Sequence, residues 1–354
     1  MKFKTKQFLF FTVFLLFGCF QMFAQTAKYS NEFLNLGVGA RSFGLSGSVI
    51  AAEGTVESAY WNPAALMEQS DSMSAALMHA NYFSGIASYD YGALSKRLDS
   101  NSVAAVSLIR FGVDDIMNTT ELIDKDGNVD YDRISLFSAA DYALIGSYAR
   151  KANIEGLYYG GNVKLIYRNI GPFANAWGFG FDVSAKYNKG KMSYGAVLRD
   201  ATTTFNAWMF DEKEFEGFED IGQAPPENGL EITLPKLLLG ASRTFTLKHD
   251  LSLRTELDLD LFFDGERNEI ISSSFASIAP HIGLELDLKK LVYVRVGLGN
   301  FQDVEEFGES ELTFQPNIGL GIHYQKITID YAFTDLGDQS LALYSHVFSL
   351  RYSL

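Results

Sequence analysis

Hydrophobic and polar residues alternate along most of the chain after about residue 70, in segments of ten to thirteen residues. One set of alternate positions in a representative segment holds Leu251, Leu253, Leu257, Leu259 and Leu261, and the other set holds Ser252, Arg254, Glu256, Asp258 and Asp260. A period of two is the spacing at which successive side chains of a β-strand face opposite sides of a sheet. The pattern predicts a chain rich in β-strands.

The length of these segments separates two kinds of β protein. Strands of soluble proteins are usually about five or six residues long, whereas a tilted strand that crosses a bilayer needs about nine to eleven. We predict about fourteen strands, at residues 73–83, 86–97, 102–112, 139–151, 156–169, 175–188, 191–199, 235–247, 250–262, 278–288, 291–300, 314–324, 326–333 and 343–354. A soluble sandwich or propeller stays open as an alternative, because its strands alternate in the same way.

The connections between the predicted strands have two lengths. Every second connection is a tight turn, at residues 99–101, 153–155, 189–190, 249, 289–290 and 325–326. The connections in between are mostly longer, at residues 113–138, 200–234, 263–277, 301–313 and 334–342. Short turns on one rim and long loops on the other are typical of an outer-membrane barrel, whose turns lie in the periplasm. We therefore predict an all-β, about 14-stranded antiparallel transmembrane β-barrel over residues 73–354.

The N-terminus predicts export from the cytoplasm. Three lysines precede an apolar run over residues 8–17, and small or polar residues follow up to Gln25, which is the pattern of a signal peptide over residues 1–25. The run is too short to span a bilayer as a helix. Cleavage would remove Cys19, the single cysteine; lipidation at Cys19 is the alternative. Together with the predicted barrel, this export signal predicts that the mature protein lies in the cell outer membrane.

The net charge of the chain argues against a nucleic-acid partner. It is −14, and loss of the three signal lysines makes it three units more negative, whereas phosphate contacts need clustered Lys and Arg. The histidines and serines form neither a zinc-protease motif nor a nucleophile elbow, and no glycine pattern of a nucleotide site is present. We expect no enzyme activity and no cofactor.

The polar face of the predicted strands carries charges of both signs. If the aliphatic face meets lipid, the lumen is lined by Arg254, Glu256, Asp258, Asp260, Glu285, Asp287, Arg295 and Asp330. Unpaired charges are costly in a medium of low dielectric constant, so this lining predicts either a water-filled pore or an interior held by ion pairs.

Residues 26–72 precede the first strand and lack a strand pattern. They are apolar and rich in glycine, and they are too short to fold alone, so we predict a plug inside the lumen. The plug and its final turn contain Phe33, Leu34, Gly37, Gly39, Arg41, Gly44, Gly47, Tyr60, Trp61, Asn62 and Pro63. The glycines allow close approach to the wall, Arg41 can pair with a lumenal carboxylate, and the aromatic pair before Asn62-Pro63 anchors the turn.

Two stretches of the plug carry a resemblance to a known family. F-L-N-L-G-V-G-A-R-S-F-G-L-S-G at 33–47, followed by A-Y-W-N-P-A-A-L at 59–66, resembles the N-terminal signature of the PorV/PorQ family, relatives of FadL-type transporters. The resemblance implies an outer-membrane barrel of a Bacteroidota-type bacterium. It also implies a place in a protein-export or biogenesis complex, either type IX secretion or another machine such as barrel assembly. The expected partners are other outer-membrane proteins, cargo C-terminal domains and the bilayer.

A FadL-like transporter or channel for hydrophobic or small solutes is the alternative function. We favour the interaction protein, because pockets for hydrophobic ligands are largely apolar and the predicted lumenal wall is charged. An acidic loop containing Trp208, Phe210, Phe215 and Phe218 has the composition of a partner-binding surface.

A weaker motif in another loop has spaced oxygen ligands. Residues Asp124, Asp126, Asn128 and Asp130 alternate along D-K-D-G-N-V-D, as in calcium loops. The glycine stands at the fourth place rather than the sixth, and no glutamate follows at the twelfth. A solvated turn is favoured over a calcium site, so we predict no metal.

Overall fold

The chain was analysed as a computed structural model that describes residues 30–52, 54–82, 85–122, 127–215, 226–306, 309–334 and 344–354. The predicted signal peptide lies outside the described residues. Strands in the described part are β1 Met73–Tyr82, β2 Ala87–Asp99, β3 Ser102–Asn118, β4 Ser135–Lys151, β5 Leu157–Ile170, β6 Ala174–Lys189, β7 Met192–Arg199, β8 Thr204–Phe210, β9 Gly229–Thr233, β10 Lys236–Thr246, β11 Leu251–Phe262, β12 Ile271–Ser272, β13 Ser277–Leu288, β14 Val292–Glu306, β15 Glu309–Tyr324, β16 Ile327–Thr334 and β17 Ser345–Ser353.

Helical segments in the described residues are short. α-Helical turns lie at Ala40–Phe43 and Ser58–Trp61, and 3₁₀ helices lie at Glu32–Leu34, Pro63–Glu68, Tyr131–Arg133 and Glu212–Phe215. No helix among the described residues has the length and apolar character needed to cross a membrane.

Fourteen of the strands form one closed antiparallel barrel, so the predicted fold is confirmed. Strand β1 pairs with β2 on one side and with β17 on the other, which closes the ring. Around the ring, β7 pairs directly with β10, and β11 pairs directly with β13. The wall therefore contains β1–β7, β10, β11 and β13–β17. Closure leaves no unpaired strand edge in lipid.

Three further strands lie at the long-loop end of the barrel. Strand β7 ends at Arg199, so the upper half of β6 has no β7 residues beside it and pairs with β8 instead. Strand β9 pairs with β8, and β12 extends the upper end of β13. These strands occupy parts of 200–234 and 263–277, which the sequence predicted to be loops.

Two predicted connections are also shorter than expected. Strands β14 and β15 continue their pairing to Glu306 and Glu309, so most of the predicted loop 301–313 is an antiparallel hairpin. Strands β3 and β4 likewise extend into the predicted loop 113–138, with a register shift between Val113 and Ile116. Both extensions project beyond the long-loop rim.

The outer surface has the two features expected of a membrane barrel. Most outward-facing side chains are aliphatic, as on β13, where Ile282, Leu284 and Leu286 are exposed. Near the long-loop rim, Tyr167 lies 4.8 Å from Trp177 and 6.3 Å from Tyr142, measured between ring centroids. Such an aromatic girdle marks the boundary between the hydrocarbon and the head groups. We assign the short-turn rim to the periplasm, because outer-membrane barrels have their short turns on that side.

Candidate functional site

The plug turns sharply at Tyr60–Pro63, inside the barrel, and we call this turn the corner. The Asn62 side chain is completely buried, and its amide donates a hydrogen bond to the Ile50 carbonyl at 2.7 Å. Its side-chain oxygen accepts a hydrogen bond from the Ala64 backbone at 3.1 Å, which caps the 3₁₀ helix Pro63–Glu68. One side chain thus joins two parts of the plug and begins a helix whose first position is proline.

The aromatic pair ties this corner to the start of the plug. The Tyr60 hydroxyl donates to the Leu34 carbonyl, and the Trp61 indole donates to the Val38 carbonyl at 2.8 Å. The Arg199 guanidinium lies 4.4 Å from the centre of the Tyr60 ring. Burial raises the pKa of the Tyr60 hydroxyl, although Arg199 acts in the opposite direction. Tyr60 therefore keeps the proton that it donates.

Glycines let the backbone of the plug approach the wall. Gly44 faces Gly319 so closely that a Cβ added at Gly44 would lie 2.7 Å from the Cα of Gly319. A Cβ at Gly297 would lie 2.3 Å from the Leu45 carbonyl carbon. Real Cβ atoms do not approach backbone this closely, so these positions exclude side chains. Gly37 and Gly47 adopt positive φ angles of 95° and 79° beside the Trp61 ring, and Gly39 adopts a positive φ of 86° beside Glu57.

One sector of the lumen holds the plug through buried ion pairs. Arg41 of the plug makes a bidentate contact with Glu285 of the wall, at 2.8 and 2.7 Å. Glu285 also pairs with Arg295 at 2.6 Å, and Arg295 pairs with Asp330 at 2.7 Å. Arg295 is only 1% exposed. Both carboxylates are compensated, which the low dielectric of the interior demands.

Two carboxylates of β11 hold the plug by its backbone. Asp258 accepts a hydrogen bond from the Ile50 N–H at 2.9 Å, and Glu256 accepts one from the Ala51 N–H at 2.6 Å. Arg254, on the same strand, pairs with Glu256. Hydrogen bonds that involve an ionised partner are about twice as strong as neutral ones. This sector therefore fixes residues 50–51 of the plug.

The other sequence-predicted lumenal charges lie nearer the two rims. Asp260 lies 4.0 Å from His281 and is half-buried. Asp287 accepts a hydrogen bond from Ser252 at 3.3 Å at the short-turn end. The structure thus brings Arg254, Glu256, Asp258, Glu285, Arg295 and Asp330 to buried positions around the plug, and it places Asp260 and Asp287 in more open surroundings.

The opposite sector of the lumen is apolar, which was not predicted from the sequence. It runs from β16 through β17 and β1 to β5, and its wall residues are Ala76, Met78, Ala80, Tyr82, Ala87, Tyr89, Tyr91, Ala93, Ile109, Ala143, Ile145, Ile166, Ala332 and Val347. Phe33, Leu34, Val38 and Tyr60 of the plug pack against this wall. We call this surface the apolar sector. A long apolar run on the inward face of β1 to β3 was its signal in the sequence.

A buried polar atom stands within the apolar sector. The Tyr89 hydroxyl is fully buried, and no hydrogen-bond partner for it is found among the described residues. The Tyr89 ring makes edge contacts with Tyr82 and Phe111, at centroid distances of 6.3 and 6.1 Å. An unpartnered buried hydroxyl is costly. Tyr89 therefore offers a hydrogen bond to a polar atom of a solute in this sector.

The aromatic residues of the predicted partner-binding loop lie at the long-loop rim. Trp208 stands on β8 and donates to Glu231 at 2.6 Å. The Phe215 ring lies 6.2 Å from the Phe210 ring and 6.1 Å from the Phe173 ring. Phe218 lies outside the described residues. These rings form a cluster over the mouth of the barrel, and their role in partner binding stays a prediction.

The calcium candidates are only partly described. Asp124 and Asp126 lie outside the described residues, while Asn128 and Asp130 are exposed. Asp130 accepts a hydrogen bond from the Asp132 backbone and pairs with Arg133 at 3.3 Å. In the described part of the chain, no group of three His, Cys, Asp or Glu residues could hold a metal ion.

A cavity of about 830 Å³ opens at the short-turn end, below the plug. Its roof includes Gly54, Thr55 and Val56 of the plug, and its walls belong to β10, β11, β13–β17 and the turns between them. We call this cavity the vestibule. Above the plug, the described residues enclose small spaces of about 30 Å³ beside Glu32 and Arg267 and about 20 Å³ beside Leu34 and Tyr60. The plug thus separates the vestibule from the long-loop side.

Comparison with solved structures supports the fold, whereas comparison by sequence finds no related protein or family model. No protein-family model matches the chain, and no curated protein matches it. Among solved structures, the chain is similar to the toluene transporter TbuX of Ralstonia pickettii, at 12% identity and a TM-score of 0.56, over 90% of this chain and 98% of that one. The toluene transporter TodX of Pseudomonas putida gives the same four values. The monoaromatic hydrocarbon channel CymD matches at 12% identity and 0.54, over 90% and 98%.

These similarities correct the expected function. The expectation of a component of a protein-export or biogenesis complex is wrong, because the structures that share this barrel are described as hydrocarbon transporters and channels. They agree with the alternative, a FadL-like transporter. The physical reason for the error is that the charged inward faces were taken to represent the whole lumen, although the wall from β16 through β17 and β1 to β5 carries an apolar surface. The chain has the fold of the FadL-like outer-membrane barrels.

Proposed function

We propose that the protein provides a route across the outer membrane for small hydrophobic molecules, with the plug as its gate. The apolar sector is the observation that carries this proposal. Pockets for hydrophobic ligands are lined mainly by apolar and aromatic side chains with a few polar groups, and this sector has that composition. The substrate class is also that of the similar barrels, whose described substrates are toluene and monoaromatic hydrocarbons.

The route follows the apolar sector past Phe33 and Leu34 of the plug. These two side chains pack against the wall on this side together with Val38 and Tyr60, whereas residues 50 and 51 of the plug are held by the charged sector. Moving Leu34 away from the wall exchanges one apolar contact for another when a hydrophobic solute takes its place. The exchange leaves no charge unpaired, so it has a low free-energy cost.

Uptake by proteoliposomes tests the proposal. Vesicles that contain the purified protein should take up radiolabelled toluene faster than empty vesicles, and they should not take up glucose. Leu34→Ala should raise the rate of toluene uptake, because it removes the side chain that closes the apolar sector. The matched control is Leu45→Ala, an equally buried leucine of the plug that packs with Val49 and Ala52 outside this sector.

The comparison of the two variants decides the location of the route. Uptake that rises several-fold for Leu34→Ala and stays at the wild-type rate for Leu45→Ala supports passage along the apolar sector. Equal toluene uptake by protein-containing and empty vesicles would contradict the proposed function. The relation to the PorV/PorQ signature and the Bacteroidota-type source stay predictions of the sequence.

A further inference from the structure

The two ends of the barrel carry opposite charge. The six periplasmic turns, at residues 96–102, 150–156, 189–192, 247–251, 287–291 and 325–326, contain ten Lys and Arg and four Asp and Glu, a formal net charge of +6. The five long connections, at 113–138, 200–235, 263–276, 301–313 and 334–344, contain 26 acidic and four basic residues, a formal net charge of −22. The chain as a whole has −14. The periplasmic end is thus positive in a strongly acidic protein.

The vestibule adds positive charge at its mouth. Lys289 and Lys290 of its lining are exposed there, on the turn between β13 and β14. Deeper in the cavity, the arginines of the lining are paired with carboxylates: Arg41 and Arg295 with Glu285, Arg254 with Glu256, and Arg351 with Asp330. Charge of one sign around the entrance of a cleft raises the local concentration of oppositely charged partners.

We propose that the vestibule and its basic rim bind an acidic, extended segment of a periplasmic protein. The positive rim, including Lys289 and Lys290 at the mouth of the vestibule, is complementary to such a segment, and electrostatic complementarity sets partner choice and association rate. The barrel wall separates the vestibule from the bilayer, so phospholipid head groups reach the outward-facing lysines of the rim but not the lining. The inference concerns the periplasmic face alone and does not depend on the proposed passage of solutes.

The roof of the vestibule gives the bound segment access to the plug. Gly54–Val56 and Gln69–Asp71 of the plug face the cavity. Arg97, a residue of the basic rim, donates to the Met67 carbonyl at 3.2 Å and also contacts the Gln69 carbonyl. A segment that fills the vestibule therefore touches the part of the plug that the periplasmic turns already hold.

Fluorescence anisotropy with a labelled glutamate-rich peptide tests the inference on the full-length protein in nanodiscs of zwitterionic phospholipid. We expect saturable binding that weakens as salt rises above about 0.1 M, where the screening length is about 10 Å. A lysine-rich peptide of equal length should not bind. Lys289→Glu with Lys290→Glu should weaken binding of the acidic peptide at least about tenfold, because like charges then face each other at the mouth.

Lys189→Glu with Lys191→Glu is the matched control, since it makes the same charge change in a periplasmic turn that does not line the vestibule. Its affinity should stay within about twofold of wild type, because neither lysine side chain lines the cavity. Lys289→Asn with Lys290→Asn, which suits the positive φ angles of 56° and 55°, should give an intermediate loss.

Four results would overturn the inference: absence of saturable binding, equal binding of the lysine-rich peptide, equal losses in the two reversed variants, or displacement of the peptide by anionic phospholipid in the nanodisc. The last result would identify head groups as the occupant. Heat-dependent migration on denaturing gels shows whether each variant keeps the folded barrel, and the Asn variant remains informative if the Glu variant does not fold.

Discussion

The closed plug depends on the Asn62 side chain, and Asn62→Ala should loosen the plug without opening the barrel. Asn62 makes two hydrogen bonds inside the plug, one to the Ile50 carbonyl and one from the Ala64 N–H. Alanine removes both. The strand pairings of the wall involve no plug residue, so the barrel itself should keep its stability.

The expected magnitude follows from the two lost contacts. Loss of a helix N-cap costs about 1 kcal/mol, and a buried carbonyl left without its partner costs about 1–3 kcal/mol. The sum is about 2–4 kcal/mol for opening of residues 48–69. Because about 1.4 kcal/mol is a tenfold change in an equilibrium constant, amide hydrogens of this segment should exchange about 30-fold to 700-fold faster.

Hydrogen exchange followed by mass spectrometry measures this effect on the protein in detergent or nanodiscs. Asn62→Asp separates the two contacts, because its carboxylate still accepts from the Ala64 N–H but cannot donate to the Ile50 carbonyl. It should show faster exchange near residue 50 and retain the helix Pro63–Glu68. Wild-type exchange rates for residues 48–69 in Asn62→Ala would refute the reasoning, because the buried corner would then contribute nothing to holding the plug.

Three further predictions concern other parts of the molecule. Arg295→Met should lower the free energy of unfolding by about 3 kcal/mol or more, measured by denaturant titration of tryptophan fluorescence. The buried carboxylates Glu285 and Asp330 each lose a hydrogen bond from Arg295 that contributes about 1.5–3 kcal/mol, although Arg41 and Arg351 still pair with them. Gly297→Ala should destabilise the packed plug by about 1–3 kcal/mol in the hydrogen-exchange assay, whereas Gly146→Ala, with open space around it, should have no effect. Burial raises the pKa of Glu269 to about 7, so the folded loop 263–276 binds a proton that the unfolded loop has already released between about pH 4.5 and 7. Its stability should fall as pH rises through that window, with faster proteolysis of the loop at pH 8 than at pH 6, and Glu269→Gln should abolish the difference.

The strand pattern was predictable because lipid and lumen impose different chemistry on alternate positions. The strand predicted at 73–83 is observed at Met73–Tyr82, and the one predicted at 191–199 at Met192–Arg199. Turns such as Lys289-Lys290 were also recognisable, since two polar residues separated two alternating runs. The extension of β14 to Glu306 was missed because apolar and polar residues no longer alternate after Phe301.

The apolar sector was missed for the opposite reason. Ala76, Met78 and Ala80 face the lumen on β1, while Leu77 faces lipid, so both faces of this strand are apolar and its alternation carries no sign of which side is inside. Contact with the plug decides the inward face, and that contact is made between residues far apart in the sequence. Periodicity identifies the charged sector first, because a charged side chain shows which face of a strand points away from lipid.

Releasing the plug from the charged sector costs more free energy than releasing it from the apolar sector. This difference supports a route along the apolar sector. Freeing residues 50 and 51 from β11 strips backbone donors from two buried carboxyl groups, and each buried group left unsatisfied costs about 1–3 kcal/mol. Freeing Leu34 breaks a neutral hydrogen bond from Tyr60, which contributes about 1 kcal/mol, together with apolar contacts. A hydrophobic solute restores the apolar contacts but cannot replace the donors. Solutes should therefore open the plug on the side of the apolar sector, while the charged sector keeps it attached to the wall.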